Sequence, residues 1–139
     1  MTIVGNKAQY KSNTNGIEVA VIPQYVSSQI SKEEGSFFSW DYHVEIINKS
    51  DETIQLINRY WRVIDEVGEM QEIKGLGIVG DQPILAPNDN FKYSSGINLR
   101  YPSGIMSGSY GIKKSNGEII SVAIPAFSLD VPSLKHTIH

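Results

Sequence analysis

Apolar and polar side chains alternate along most of this chain, with a repeat of two residues rather than the 3.6 of a helix. The clearest run is 37–48. Phe38, Trp40, Tyr42, Val44 and Ile46 fall on one parity, and Ser39, Asp41, His43 and Glu45 on the other. This pattern predicts a strand with one buried face. Residues 17–22 alternate in the same way until Pro23, which predicts a sheet edge or a bulge because proline has no N–H for a ladder. Over 53–65 the apolar positions are Ile54 and Leu56, then Ile57, Trp61 and Val63. The parity switch predicts a bulge, or a strand buried on both faces.

Turn chemistry separates these runs. Asn15-Gly16 and the stretch Asn48-Lys49-Ser50-Asp51 read as turns, and 66–69 closes a hairpin into 70–74. A short strand follows over 90–94 with Phe91 and Tyr93, and another over 105–113 with Met106, Tyr110 and Ile112 on one parity. Asn116-Gly117 is the strongest hairpin signal, because a type I′ turn needs positive φ at both central residues. The chain returns over 118–124 with Ile120, Val122 and Ile124 inward, and Pro125 ends the run. Residues 27–36 are polar and read as a solvated loop ending in Lys32-Glu33-Glu34-Gly35. Residues 1–15 lack a period and predict a flexible arm, and 130–139 a tail, leaving 16–129 as the folded body. About seven or eight antiparallel strands, with no convincing helix, predict an all-β sandwich.

Composition narrows the function. A chain of 139 residues suits one domain with a core that needs no staples. It contains no cysteine, which excludes disulfides, thiolate catalysis and cysteine-ligated zinc. The net charge of −3 argues against electrostatic binding of nucleic acid. No apolar run is long enough for a membrane-spanning helix, and residues 1–15 have no apolar core of a leader, so the expectation is a cytoplasmic location.

One stretch matches a nucleotide-binding spacing. Gly75-Leu76-Gly77-Ile78-Val79-Gly80 reads G-x-G-x-x-G. In a dinucleotide fold that turn opens a helix whose amides hold a pyrophosphate. Here Pro83 and Pro87 follow at once, and no acidic residue stands at the expected distance. Two readings remain open. The amides of Gly75, Gly77 and Gly80 form an anion nest with Lys74 adding charge, or the glycines serve a kink, bulge or close backbone approach.

The segments taken together resemble the ApaG family, also called CorD. They are Arg59-Tyr60-Trp61, the run from Gly75 to Pro83, Pro87 with Phe91, and Tyr93-Ser94-Ser95-Gly96. Pro102-Ser103-Gly104-Ile105-Met106-Ser107-Gly108-Ser109-Tyr110 and Ile124-Pro125-Ala126-Phe127-Ser128-Leu129 complete the series. The resemblance spans 17–129. It implies an immunoglobulin-like, fibronectin type III-like β-sandwich and names no reaction. It links bacterial members to cobalt and magnesium efflux or homeostasis. It also implies a binding role, since related domains occur in F-box adaptors and in a polymerase-delta-interacting protein, and it suggests a pyrophosphate or nucleotide site at the glycines. Tyr60 stands where the family commonly has histidine, which weakens a metal role there. Asn88 stands where glycine is usual, and asparagine also tolerates the left-handed conformation.

The remaining candidates are weak in pattern. Asp65, Glu66, Glu69 and Glu72 cluster in one hairpin, but alternation points them to different faces, as a solvated hairpin would. His136 and His139 in the tail would suit at most an adventitious cobalt site, and His43 lies on a polar face. Asp41, His43 and Glu45 could form an acid–base surface or a plain polar face. Trp61, flanked by Arg59 and Arg62, fits a core position ahead of a binding surface. No nucleophile, base and orienter come together, so the expectation is a non-catalytic module with no catalytic residues, no metal site and no cofactor. Its expected partner is another protein. A small-anion binder for pyrophosphate or a dinucleoside polyphosphate is the alternative. An edge near Pro23 is open to pairing with a second copy.

Overall fold

The computed structural model describes residues 1–4, 7–33 and 35–132. Its strands in chain order are β1 (Thr2–Val4), β2 (Lys7–Thr14), β3 (Ile17–Ser31), β4 (Gly35–Asn48), β5 (Ile54–Asp65), β6 (Met70–Leu76), β7 (Ile84–Leu85), β8 (Asn90–Leu99), β9 (Ser103–Lys113) and β10 (Ile119–Asp130). They form two antiparallel sheets, ordered β1-β2-β3-β4-β8 and β10-β9-β5-β6, with β7 paired to β5. The all-β sandwich expected from the alternation is what the chain forms. No helix among the described residues is long and apolar enough to cross a membrane.

The inward parities meet between the sheets. Trp40, Tyr42, Val44 and Ile46 of β4 face Trp61 and Val63 of β5, Met106, Tyr110 and Ile112 of β9, and Val122, Ile124 and Phe127 of β10, all buried. Trp61 is the hub. Its ring lies 5.0 Å from Tyr42, 6.3 Å from Tyr110 and 6.0 Å from Phe127. Each large side chain buried there contributes roughly 1.5–3 kcal/mol. The parity switch in β5 is a bulge, with the register to β9 shifting between Leu56 and Asn58.

Several expectations are corrected. Residues 7–14 are not a loose arm. Residues 7–9 pair with β1, and residues 10–14 pair with β3 through a turn at Asn15 and Gly16, whose φ values of 51° and 87° meet the type I′ requirement. The polar character of β2 has a use. Ser12 Oγ donates to the Ala123 carbonyl at 2.8 Å, and the Ala123 amide donates to Thr14 Oγ1 at 3.3 Å, so β2 covers the backbone of the edge strand β10. Residues 27–31 and 35–36 are not loop but strand, the far part of the β3–β4 hairpin, with Ser28 opposite Phe38 and Ser31 opposite Gly35. The expectation at Pro23 holds: β3 lies between β2 and β4, but the β2 ladder ends at Val21, so Pro23 faces a locally open edge where no bond is lost for want of an N–H, and the register to β4 shifts just beyond it, between Tyr25 and Ser27. The 113–119 hairpin is present with different geometry. Gly117 alone has positive φ, at 88°, and its amide donates to Lys114 O at 3.0 Å, a type I turn closed by a left-handed glycine. The body runs past 129. Trp40 Nε1 donates to Asp130 O at 3.0 Å, and Val131 is buried. His136 and His139 lie outside the described residues.

Candidate functional site

The glycine stretch joins β6 to β7 along one flank of the second sheet. β6 pairs with β5 from Ile64–Met70 to Asn58–Leu76. The ladder then closes with the Gly77 amide donating to Ile57 O at 2.6 Å. Ile78 and Asp81 exchange bonds of 2.7 and 3.0 Å, so Val79 and Gly80 form the tip of a tight turn. Both tip residues have positive φ, 51° and 85°. Ile78 is fully buried and anchors the turn, while Val79 is 66% exposed. Two glutamines lash it down. Gln82 Nε2 donates to Ile57 O at 2.9 Å, and Gln55 Nε2 to Gln82 O at 3.1 Å. No helix follows Gly80. The Leu56 amide donates to Pro83 O at 3.0 Å, and the chain enters β7.

Each glycine of the motif has a backbone task. Gly77 has φ 65°, and a Cβ there would overlap the Asp81 carbonyl oxygen. Gly80 has open space but needs its left-handed φ. Gly75 is extended and lies beneath Arg59. That arginine shares the inward parity of Trp61 and Val63. Its Nη1 donates to the carbonyls of Gly77 at 2.9 Å and Leu76 at 3.2 Å. No carboxylate lies within ion-pair distance of Arg59 or Lys74 among the described residues. Asn58, Arg59, Tyr60, Lys74, Gly75 and Leu76 line an open hollow of about 480 Å³.

Thus the structure brings Lys74, Gly75 and Arg59 to one place and uses the Gly77 amide in the ladder. In the sequence Arg59 stood out only as a neighbour of Trp61, although a cation on the apolar parity of a strand was a readable signal. It also missed the phenols behind it. Tyr93 and Tyr110 hydroxyls are hydrogen-bonded to each other between the sheets. Burial raises the pKa of Tyr42, Tyr93 and Tyr110, most strongly for the last two, while the Arg59 charge opposes the rise weakly.

On the outer face, Tyr60 Oη donates to Glu72 Oε2 at 2.7 Å, and Lys74 Nζ stands 5.7 Å from the Tyr60 ring centre. The bond to Glu72 is the main reason the Tyr60 pKa is raised. The other carboxylates of the acidic hairpin do not converge on it. Asp65 Oδ1 accepts the amides of Val67 and Glu69, each at 3.0 Å, and so shapes the turn. No three carboxylate or imidazole groups come together in a metal-holding arrangement among the described residues. His43 bonds to Ser94 Oγ at 2.6 Å and Gln24 Oε1 at 3.0 Å, so no carboxylate orients it, and Glu45 instead accepts from Asn90 Nδ2 at 2.5 Å.

The ApaG domain pattern matches residues 28–114. The chain belongs to the ApaG family. Protein ApaG of Brucella canis is 46% identical over 130 residues, covering 94% of this chain and 99% of the relative. Protein ApaG of a Methylobacterium species is 44% identical over the same spans. Among solved structures, a structural-genomics target named SoR45 superposes with a TM-score of 0.83 at 36% identity, covering 90% of this chain and 94% of that one. A putative ApaA protein from Bordetella pertussis gives 0.77 at 38% identity, covering 84% and 94%. The matched span holds the glycine turn, Arg59 and the phenols. Asn88 adopts the left-handed conformation, with φ 73°.

Proposed function

We propose that this ApaG-family chain is a non-catalytic binding module that docks another protein on its glycine turn. The carrying observation is Val79. A β-branched residue in the left-handed region is strained by roughly 1–2 kcal/mol. Its apolar side chain is 66% exposed, and Ile84 a few residues on is exposed to the same degree. The packing of the core gains nothing from Val79, whereas a rigid, solvent-facing apolar tip suits contact with a partner. Any part in cobalt and magnesium homeostasis is then played through that partner, because Asp65 is engaged with backbone amides, Glu72 with Tyr60, and no three metal-holding side chains converge among the described residues.

The test is recovery of bound proteins from native lysate on immobilised chain, with Val79→Asp as the paired control. Proteins held by the wild type and released by the variant support the reading; identical retention on both removes it. Hydrolysis of nucleotides or phosphoanhydrides that disappears with Gly77→Ala would overturn the non-catalytic part.

A second reading has one observation in its favour. Arg59 and Lys74 border the hollow at Gly75 without a carboxylate partner among the described residues. A small anion such as pyrophosphate would meet these side chains rather than the Gly77 amide, which is engaged. Titration with pyrophosphate should move amide resonances of 74–81 in the wild type and not in Arg59→Ala. Unmoved peaks at millimolar pyrophosphate end this reading.

A further inference from the structure

The second sheet has two edges, and they are treated differently. β10 is covered by Ser12 and Thr14 of β2. β6, the opposite edge, pairs with β5 on one side, and among the described residues no strand pairs with its other side. Hydrogen-bonded and non-bonded pairs alternate along an antiparallel ladder. The Asp65 amide bonds to Glu69 O and the Gly77 amide to Ile57 O. The register between these two bonds therefore turns the N–H and C=O of residues 71, 73 and 75 towards β5. Met70, Glu72, Lys74 and Leu76 turn theirs to the open side. The same residues place their side chains on the outer face, opposite Ile64, Arg62, Tyr60 and Asn58.

We infer that β6 is a dimerisation edge that pairs antiparallel with β6 of a second copy about a two-fold axis at Ile73. The sequence is self-complementary in that register. Glu72 of each copy faces Lys74 of the other, and exposed Met70 faces exposed Leu76. Ile73, half-buried beside Trp61, meets its own copy and extends the core side of the sheet. The outward amides of Glu72 and Lys74 donate to the outward carbonyls of Lys74 and Glu72 across the axis. The bonding parity and the charge parity therefore select the same register, which a chance edge need not do. A shift by one residue along either strand breaks the Glu72–Lys74 match and turns side chains to the wrong face.

The charges are ready for this use. Lys74 has no carboxylate within ion-pair distance among the described residues, and Glu72 uses only Oε2 on Tyr60, leaving Oε1 open. Of the first sheet's two edges, β1 is only three residues long and β8 carries Lys92 as its only charged residue, so self-pairing there offers no charge match. Paired β6 strands join the two four-strand runs into one continuous sheet, as isologous edge dimers do. This does not depend on the Val79 surface. It does compete with the anion reading, since both draw on Lys74.

Sedimentation equilibrium of the full chain tests the inference. The expected mass is twice that of the chain in the micromolar range, falling as salt is raised. Lys74→Glu sets carboxylates against carboxylates across the axis, and Glu72→Lys sets ammoniums against ammoniums. Each variant alone should be monomeric, while an equimolar mixture should restore the dimer, because both cross-axis pairs are then of opposite sign. Hydrogen exchange on the unmodified chain gives a readout free of folding effects: the Glu72 and Lys74 amides should be protected at high concentration and exchange freely on dilution. A wild type that stays monomeric at high micromolar concentration, variants that remain dimeric, or a mixture that stays monomeric would each overturn it.

Discussion

Arg59 lies over Gly75 so closely that a Cβ on the glycine would stand 2.8 Å from the guanidinium group. Gly75→Ala therefore has to push the arginine off the Leu76 and Gly77 carbonyls. The expected loss is about 1–3 kcal/mol. In an Arg59→Ala background the obstacle is gone, and alanine in a strand is then favoured over glycine by roughly 0.5–1 kcal/mol. Urea unfolding of the two single variants and the double variant should show this change of sign. Additive effects would mean the contact does not hold the site together.

Val79 sets stability against binding. Asparagine accepts a left-handed backbone that valine resists, so Val79→Asn should raise stability by about 1 kcal/mol while lowering retention of the partner. Thermal melts of these variants should show Gly77→Ala as the worst change in the turn, since it meets both the positive φ and the Asp81 carbonyl. Gly80→Ala should cost less, having only φ against it. Val79→Asn that destabilises would show that the tip is not strained.

These residues also show what alternation can and cannot reveal. The β4 face from Trp40 to Ile46 was legible because a period of two fixes which side chains go inside. The bulge at Leu56–Asn58 was legible as a break in that period. The helix-free glycine turn was legible from Pro83 and Pro87. Residues 7–14 were not, because a strand that covers another's backbone with Ser12 and Thr14 carries no apolar stripe. Nor was the outer part of the β3–β4 hairpin, where solvent wets both faces and leaves Ile30 exposed. Asn116 misled because Asn-Gly allows a type I′ turn without requiring it. The Arg59–Gly75 contact depends on a register between β5 and β6 that the sequence does not display.

The buried phenols predict an alkaline limb. Their folded pKa values are raised by burial, so their protonated forms are favoured in the native state. The contribution is fully present below the unfolded tyrosine pKa of about 10 and is lost as pH rises from there towards the folded values. Stability measured by urea should therefore fall above about pH 10, and Tyr110→Phe should flatten the fall while costing about 1 kcal/mol at neutral pH. Absorbance titration should show Tyr93 and Tyr110 ionising only as the protein unfolds. Early, reversible ionisation of both would contradict their place between the sheets.

Asn48 ties the back of the glycine segment to the body. It is fully buried. Its Nδ2 donates to Glu52 O at 2.8 Å and Leu85 O at 2.9 Å, and its Oδ1 accepts from the Ser50 amide at 3.0 Å and Ser50 Oγ at 2.6 Å. Asn48→Ala strands these groups and should cost at least about 2 kcal/mol. Asn48→Asp should be worse at neutral pH, because a buried carboxylate would face two carbonyl oxygens. That carboxyl would have a folded pKa above its unfolded one, so its protonated form, which can donate one bond, is favoured on folding. The variant should therefore recover stability as pH falls towards 4 and lose it as pH rises, the reverse of the usual acid limb. An Asp variant no less stable than the Ala variant at pH 7, or one with no gain in acid, would show that this asparagine does not hold β7 in place.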